Sequence, residues 1–215
     1  MIRAEQGTKE WLQQRVGKVT ASRFDDVLGK LKNGKGYRAE RENYLWELVG
    51  EHLTGNPSPH YFSTAMMHGQ EYEPHARQAF QVRTGLIVDT CGFLDHPEIP
   101  HCGASPDGII EMGDGRRLGL EVKCPFNLKN HLQTVASKAM PEQHYAQVQG
   151  QMMCARLDGV WFVSYYPFVD ERLKLFSCYV ERNDDYIQEL EYEVIKFQGE
   201  LAQTLLEITA SIPKS

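Results

Sequence analysis

The segments SPDGII and LGLEVKCP stand at residues 105–110 and 118–125 of the chain. In an extended strand alternate side chains share a face, so Glu121 and Lys123 would point the same way, about 7 Å apart. Val122, which lies between them, would point into the core. The two segments therefore predict short strands that carry an acid and an amine side by side.

Asp107 lies between a proline and a glycine, at a predicted bend where its carboxylate can meet that of Glu121. Two carboxylates with a backbone carbonyl between them are typical of a Mg²⁺ site that leaves positions for water and phosphate. A nearby lysine supplies charge for the attacking water and for the pentavalent transition state of phosphodiester cleavage. The pattern is therefore compatible with metal-dependent cleavage of a phosphodiester.

A purely structural interpretation of the same residues is also open. Asp107 could be a turn residue and Glu121 with Lys123 a salt bridge, and such a pattern occurs by chance in many proteins. The apolar neighbours Leu120 and Val122 favour function, because unpaired charges on a strand that enters a core are costly.

Length and composition describe a globular chain, predicted to be a single domain over residues 1–215. The chain has 215 residues, of which 41% are hydrophobic and 24% charged. It has no apolar run near the roughly 18 residues of a membrane span and no apolar signal segment at its start. Its five cysteines are scattered singly, which predicts reduced thiols and argues against a zinc ribbon. We therefore expect a cytoplasmic protein with no membrane partner.

Charge is distributed unevenly along the chain, although the net value of −6 gives no overall attraction to nucleic acid. Residues 15–41 hold eight basic and three acidic side chains, whereas residues 181–215 hold eight acidic and three basic ones. Screening acts over only about 8 Å at physiological salt, so a polyanion would respond to the local basic segment. Two solvated surfaces of opposite sign are the simpler alternative.

Apolar spacing and turn signals predict an α+β domain with a mixed sheet covered by helices. A short helix capped by Thr8 ends at Gly17, and a second one is capped by Thr20; a basic loop over residues 30–36 follows. Helices are predicted over residues 21–28, 38–53, 66–84, 128–137, 141–155 and 187–208. Strands are predicted over residues 86–94, 101–104, 108–112, 118–122, 160–165 and 173–180.

Pro106-Asp107 followed by Glu121-Val122-Lys123 resembles the PD-(D/E)XK nuclease motif. The chain also resembles one branch of that superfamily, the lambda-exonuclease or YqaJ-like phage recombination exonucleases. Four blocks carry the resemblance in family order: QG, WL and RVGKVTAS within residues 6–22, GQEYEPHAR at 69–77, CGASPDG with LEVKCPF at 102–108 and 120–126, and YAQVQ at 145–149. The resemblance implies a restriction-endonuclease-like core, with a central mixed β-sheet flanked by helices.

The resemblance also implies a site for Mg²⁺, with two ions and with Mn²⁺ as a possible substitute. Its ligands would be Asp107, Glu121, the carbonyl of Val122 and, for the second ion, Glu73. Glu71 is the local alternative to Glu73, but the matched Tyr-Glu favours Glu73. A structural alternative for Glu73 is a salt bridge with Arg77 four residues on, which contributes only tenths of a kcal/mol.

Two further residues take catalytic roles under the resemblance. Lys123 would position or deprotonate the attacking water, and Gln147 would orient that water and Lys123. A surface glutamine is the alternative for Gln147, because Gln143, Gln149 and Gln151 lie nearby. The Tyr-Ala-Gln-Val-Gln block favours the catalytic role.

Contacts with DNA are implied as well. Arg15, Ser22 and Ser105 resemble a pocket for the 5′-terminal phosphate, and a guanidinium with hydroxyls beside a helix start suits a dianion. Met66 stands where the family has an apolar wedge that separates the terminal base pair, although it could equally be core filler. Lys32 and Lys35, in the basic loop, are candidates for contact with the duplex.

The implied function is a Mg²⁺-dependent, processive 5′→3′ exonuclease that degrades the 5′-phosphorylated strand of duplex DNA to mononucleotides. It would leave 3′ overhangs, act as a ring-shaped homotrimer and work with a phage-type single-strand annealing protein. A bacterial host and a phage or prophage origin follow from the same resemblance. A restriction-like endonuclease of the superfamily and an inactive DNA-end-binding protein are the two alternatives.

Overall fold

The computed structural model describes residues 4–30, 36–59 and 63–211. Seven α-helices and seven strands alternate irregularly over these ranges, with short 3₁₀ turns between some of them. The helices are α1 Lys9–Arg15, α2 Phe24–Leu28, α3 Ala39–Thr54, α4 Thr64–Thr84, α5 Leu128–Ser137, α6 Tyr145–Ala155 and α7 Asp184–Ala210. The strands are β1 Val19–Thr20, β2 Leu94–Asp95, β3 Cys102–Ala104, β4 Gly108–Glu111, β5 Arg117–Lys123, β6 Gly159–Tyr165 and β7 Leu175–Glu181.

A four-stranded mixed sheet, in the order β4-β5-β6-β7, forms the centre of the fold. Strand β5 pairs antiparallel with β4 and parallel with β6, and β6 pairs antiparallel with β7. A smaller sheet, in the order β1-β3-β2, lies beside it. The predicted α+β class, a mixed sheet flanked by helices, is therefore confirmed.

Alternation along β5 sends its side chains to two different layers. Leu120 and Val122 join a core cluster with Phe80 of α4, so the prediction that Val122 points inward is confirmed. The opposite face carries Glu121 and Lys123 and meets α6, a helix that is buried along most of its length. The strand thus positions its charged residues between the sheet and α6.

Most of the predicted helices form close to the predicted bounds. Helix α5 has the predicted limits, and α4 begins at a cap where the side chain of Ser63 accepts a hydrogen bond from the backbone N–H of Met66. Helix α4 passes through Pro74 and ends at Gly85, whose φ of 73° is the left-handed conformation that glycine favours. Helix α7 buries its apolar stripe, which includes Phe197, against the core.

The strand predicted over residues 86–94 is wrong for most of its length. Only Leu94–Asp95 forms a strand, and Asp89 adds an isolated bridge to Ile109 through two hydrogen bonds of 2.8 and 2.9 Å. Ile87 is exposed, so the apolar run does not reflect a strand buried on both faces. The segment instead connects the two sheets.

The predicted capping role of Thr20 is also wrong. A 3₁₀ turn over Ala21–Arg23 precedes α2, and the Thr20 side chain makes no cap hydrogen bond. Thr20 is instead in β1, paired with Gly103, and its hydroxyl accepts a hydrogen bond from Arg15 at 3.4 Å. The residue belongs to the functional site rather than to the helix start.

A search of the described helices for a membrane-crossing segment, one long and apolar enough to span a bilayer, finds none.

Candidate functional site

One cavity of about 590 Å³ brings together the predicted site residues that the structure describes. Its walls come from α1, the end of β1 with the 3₁₀ turn that follows it, α4, the segment before β4, strands β5 and β6, and helices α5 and α6. The predicted residues in its lining are Arg15, Ser22, Met66, Glu73, Ser105, Asp107, Glu121, Val122, Lys123 and Gln147. Lys32 and Lys35 lie outside the described residues.

Asp107 is held at the entrance of β4 by the neighbouring strand. Its backbone N–H donates to the carbonyl of Leu120 at 2.9 Å, and its Oδ2 accepts from the backbone N–H of Val122 at 2.7 Å. The hairpin therefore fixes the carboxylate beside β5, as the bend between Pro106 and Gly108 predicted.

Glu121 and Lys123 form an ion pair on the cavity side of β5. Glu121 is only 1% exposed, and its Oε1 lies 2.5 Å from the Nζ of Lys123, a side chain that is 31% exposed. The Lys123 ammonium also donates a hydrogen bond of 3.2 Å to Oε1 of Gln147, a residue of α6. The structural salt bridge considered for the strand pair is present, and it faces the cavity.

A residue that the sequence did not single out completes this group. Gln151 is 1% exposed, and its Nε2 donates to Oε2 of Glu121 at 2.5 Å. Gln147 and Gln151 lie four residues apart, so they share one face of α6. That spacing could have identified Gln151 from the sequence, but the segment contains other glutamines with no such role.

Glu73 reaches the cavity from α4. Its Oε1 accepts from a terminal guanidinium nitrogen of Arg77 at 2.5 Å, so the predicted salt bridge exists. Glu73 nevertheless lines the same cavity as Asp107 and Glu121, whereas Glu71 is exposed on another side of α4. The two interpretations of Glu73 are compatible, because the ion pair lies at the cavity wall.

The acidic side chains disturb one another's ionisation. Burial, followed by the charges of Glu121 and Glu73, raises the pKa of Asp107 well above its usual range. Burial and the charge of Glu121 also raise the pKa of Glu73, although Arg77 opposes the shift. For Lys123, burial opposes the charged form, but Glu121 and Asp107 outweigh it and raise the pKa. The site therefore brings together three carboxyl groups, whose charge Lys123 and Arg77 only partly balance.

A hard divalent cation fits this donor set. Carboxylate and carbonyl oxygens are the ligands that Mg²⁺ and related ions prefer, and the mutual repulsion of the acids is the strain that a cation relieves. Within residues 4–30, 36–59 and 63–211, no three His, Cys, Asp or Glu side chains are arranged as ready metal ligands. Each of the three acids instead contacts a protein donor. Glu121 contacts Lys123 and Gln151. Glu73 contacts Arg77, and Asp107 accepts a hydrogen bond from the Val122 N–H.

Arg15, also in the lining of this cavity, has no acidic partner among the described residues. The guanidinium of Arg15 donates to the hydroxyls of Thr20 and Ser22, at 3.4 and 3.3 Å, and among the described residues it forms no salt bridge. Burial lowers the pKa of Arg15 from its usual value, although an arginine remains charged. A guanidinium whose hydrogen-bond partners are hydroxyls is suited to an anionic ligand.

Trp11 connects this arginine to the hairpin. The guanidinium of Arg15 lies over the Trp11 ring, 4.1 Å from its centroid, and the indole N–H donates to the hydroxyl of Ser105 at 2.9 Å. Arg15, Ser22 and Ser105 are thus brought together, with Trp11 and Thr20 as partners that sequence reasoning missed. The four-residue separation of Trp11 and Arg15 on α1 was the signal for the ring contact.

Two further side chains complete the description of the cavity. Met66 lines the cavity and is 44% exposed, so it is not the core filler considered as its alternative. His144 stacks on Phe162, and burial together with the charge of Lys123 lowers its pKa to about 4. His144 is therefore neutral at physiological pH and adds no charge to the site.

Comparisons with known proteins agree with this geometry. The model of the YqaJ-like viral recombinase domain matches residues 10–158. An uncharacterized protein of Acanthamoeba polyphaga mimivirus is 27% identical over 168 residues, which are 74% of this chain and 29% of that protein. The chain thus spans less than a third of the length of this relative.

Solved structures include a similar protein of nearly the same length. The alkaline exonuclease LHK-Exo of Laribacter hongkongensis is 38% identical, with a TM-score of 0.84 over 94% of this chain and 97% of that one. The same enzyme in complex with dAMP has a TM-score of 0.86. A phage-related exonuclease of Haemophilus somnus, 17% identical, shares the fold with a TM-score of 0.70 over 89% of this chain and 96% of its own.

Proposed function

The chain belongs to the YqaJ-like viral recombinase domain family, and we propose that it degrades one strand of duplex DNA from a 5′-phosphorylated end. It is a deoxyribonuclease of the exonuclease type, as its likeness to an alkaline exonuclease over nearly the whole chain indicates. One observation carries the proposal. A single cavity is lined both by the clustered acids with Lys123 and by Arg15, which forms no salt bridge within the part of the chain that the structure describes.

The acids would hold the divalent metal on which this class of nuclease depends. We propose Mg²⁺, with two ions and with Mn²⁺ able to substitute, because the three carboxylates and the Val122 carbonyl supply hard oxygen donors. Asp107, Glu121 and the carbonyl of Val122 would bind one ion, and Glu73 would help bind the second. When bound, the metal supplies a more acidic water and charge for the pentavalent transition state.

Lys123 and Gln147 would act on the attacking water. The ammonium of Lys123 lies among the acids and donates to Gln147, which limits the directions it can take. In this position the Lys123 ammonium would orient the water, and its charge would offset that of the phosphoryl oxygens. Accepting the water's proton would be the role of the neutral amine. Gln147 would fix the position of the Lys123 amine relative to the water.

Arg15 would set the polarity of the reaction. A guanidinium with the hydroxyls of Ser22 and Ser105 nearby would bind a terminal 5′-phosphate, while Met66 at the cavity mouth would separate the last base pair. An end anchored in this way presents its first phosphodiester to the acids, so the product would be a mononucleotide. The complex of the Laribacter enzyme with dAMP supports a product of that kind.

The remaining proposals extend from this reaction to its setting. Residues 1–215 would form one exonuclease domain that assembles as a homotrimer and degrades DNA processively. The 3′ overhang would be passed to a phage-type single-strand annealing protein for recombination. Lys32 and Lys35 would contact the duplex, and the enzyme would work in the cytoplasm of a bacterial host. Family membership supports the recombination setting.

A restriction-like endonuclease of the same superfamily is the main alternative. Arg15 disfavours it, because an enzyme that cuts within a duplex has no need of a pocket for a terminal phosphate. An inactive end-binding protein is disfavoured because Glu73, Asp107, Glu121 and Lys123 all line one cavity.

Four digestion reactions test the proposal. We expect rapid loss of one strand from linear duplex with 5′-phosphates in Mg²⁺, slower loss with 5′-hydroxyls, and no reaction in EDTA. A covalently closed circular duplex should stay intact, because it offers no end. Gel electrophoresis of stained DNA gives all four results, and nicking of the circle would favour the endonuclease instead.

The 5′-phosphate preference is expected to depend on Arg15. A charged hydrogen bond contributes about 1.5–3 kcal/mol, so Arg15→Ala should reduce the preference for phosphate over hydroxyl ends by about 10- to 100-fold. Initial rates on the two ends measure this ratio. Arg172→Ala, which removes an exposed ion pair with Asp170, is the control and should leave the ratio unchanged. A preference that persists in Arg15→Ala would place the phosphate elsewhere.

A further inference from the structure

We propose that Gln151 is a positioning residue that fixes Glu121 for metal binding, an inference that rests on the proposed metal-dependent function. Its Nε2 lies 2.5 Å from Oε2 of Glu121, and each residue is only 1% exposed. Only the amide N–H can donate to a carboxylate, so the orientation of the Gln151 amide is determined by its partner. The contact therefore joins α6 to the centre of β5 inside the cavity.

The contact divides the two oxygens of Glu121 between two tasks. Oε2 is held by Gln151, whereas Oε1 faces Lys123 at 2.5 Å. A carboxylate held at one oxygen cannot rotate freely, so its other oxygen keeps one direction. The hydrogen bond from the Gln151 amide thus orients Oε1 of Glu121, the oxygen next to Lys123, for binding a metal ion.

A neutral donor is the suitable choice at this position. A second cation beside Lys123 would further compensate the charge of Glu121 and compete with a metal ion, whereas an amide donates a hydrogen bond and adds no charge. Partners of this kind orient metal ligands and commonly change metal affinity by about 10- to 100-fold when they are removed.

The second polar atom of Gln151 supports the same role. Oε1 is buried and has no hydrogen-bond partner among the described residues. Most buried acceptors in folded proteins are satisfied, and exceptions call for an explanation. Gln151 lines the cavity, where a metal-bound water would be a donor matched to this acceptor.

Gln149 supplies a matched control on the same helix. It is fully buried, but its Nε2 donates to the carbonyl of Glu181 at 2.8 Å and its Oε1 accepts from the N–H of Asn183 at 3.0 Å. Both partners belong to the backbone where β7 passes into α7. Gln149 therefore connects structural elements, whereas Gln151 contacts a proposed metal ligand.

Calorimetric titration of the full chain with Mn²⁺, without DNA, tests the role of Gln151. Gln151→Met keeps the side-chain shape but loses the donor, and its dissociation constant for Mn²⁺ should rise about 10- to 100-fold. Its KM for DNA at saturating Mn²⁺ should stay within twofold of the wild-type value, because Gln151 is buried behind Glu121. Gln149→Met should lower the melting temperature and leave Mn²⁺ affinity unchanged.

A folded Gln151→Met protein that binds Mn²⁺ as tightly as wild type would overturn the proposal. If that variant does not fold, Gln151→Asn decides in the same way, because its shorter amide stays polar but no longer reaches Glu121. Failure of the wild-type protein to bind Mn²⁺ or to degrade linear duplex would instead count against the proposed function. The two failures are therefore distinguishable.

Discussion

Replacing Lys123 by methionine is expected to lower the rate of DNA degradation by about 10²–10³-fold or more, while binding of duplex ends persists. Loss of one well-placed charge contact to a transition state costs about 2.7–4 kcal/mol, which corresponds to this range. Binding should survive because Arg15, the proposed anchor of the terminal phosphate, is untouched. Single-turnover rates and a filter-binding assay with EDTA measure the two effects separately.

Lys174→Met is the matched control for the Lys123 experiment. Lys174 has a similar exposed fraction, 29%, and a similar ion pair, 2.6 Å from Glu171, but it lies outside the cavity. Its replacement should leave both rate and binding unchanged. Equal activity of Lys123→Met and wild type would remove Lys123 from the mechanism.

The part of the site that could be predicted from the sequence is the part built by local geometry. The alternation of a strand decides that Glu121 and Lys123 share a face, and the bend at Asp107 is encoded by its two neighbours. Both features need only a few consecutive residues. The resemblance then added residues from distant segments, such as Arg15, and all of those that the structure describes line the cavity.

The missed contacts depend on packing between elements that are far apart in sequence. Gln151 meets Glu121 across 30 positions, and Trp11 meets Ser105 across 94. No periodicity within one segment reports such pairs. The prediction that Thr20 caps a helix was wrong for a related reason. The pairing of β1 with β3, and not the helix that follows, determines the conformation of Thr20.

The strand predicted over residues 86–94 was wrong because apolar composition alone does not determine strand pairing. Apolar composition predicts burial, but a strand also needs a partner edge, and this segment finds one only at Asp89 and at Leu94–Asp95. Pairing partners are a property of the whole topology. Element type was therefore predictable where a helix or hairpin is self-contained, and least so where the chain passes between sheets.

Asp107→Asn is expected to abolish detectable cleavage, a loss of about 10³-fold or more, without lowering the melting temperature of the metal-free protein. The activity is lost because a neutral amide is a poor ligand for the metal, which supplies several kcal/mol of transition-state stabilisation. Stability should not fall, because burial and the charges of Glu121 and Glu73 already disfavour the ionised carboxylate. Asparagine keeps an oxygen for the hydrogen bond from Val122.

Asp158→Asn is the control for this experiment, because it removes the charge of a carboxylate that accepts the same kind of backbone hydrogen bond as Asp107. Asp158 also accepts a backbone N–H of β5 through Oδ2, from Arg117 at 2.7 Å, the same distance as between Asp107 and Val122. It is exposed and lies outside the cavity, so Asp158→Asn should remain active. Thermal melts with and without Mg²⁺ complete the test, since a bound ion stabilises only a protein that binds it. Wild type and Asp158→Asn should melt higher with Mg²⁺, whereas an equal Mg²⁺-induced rise in Asp107→Asn would show that Asp107 is not a ligand.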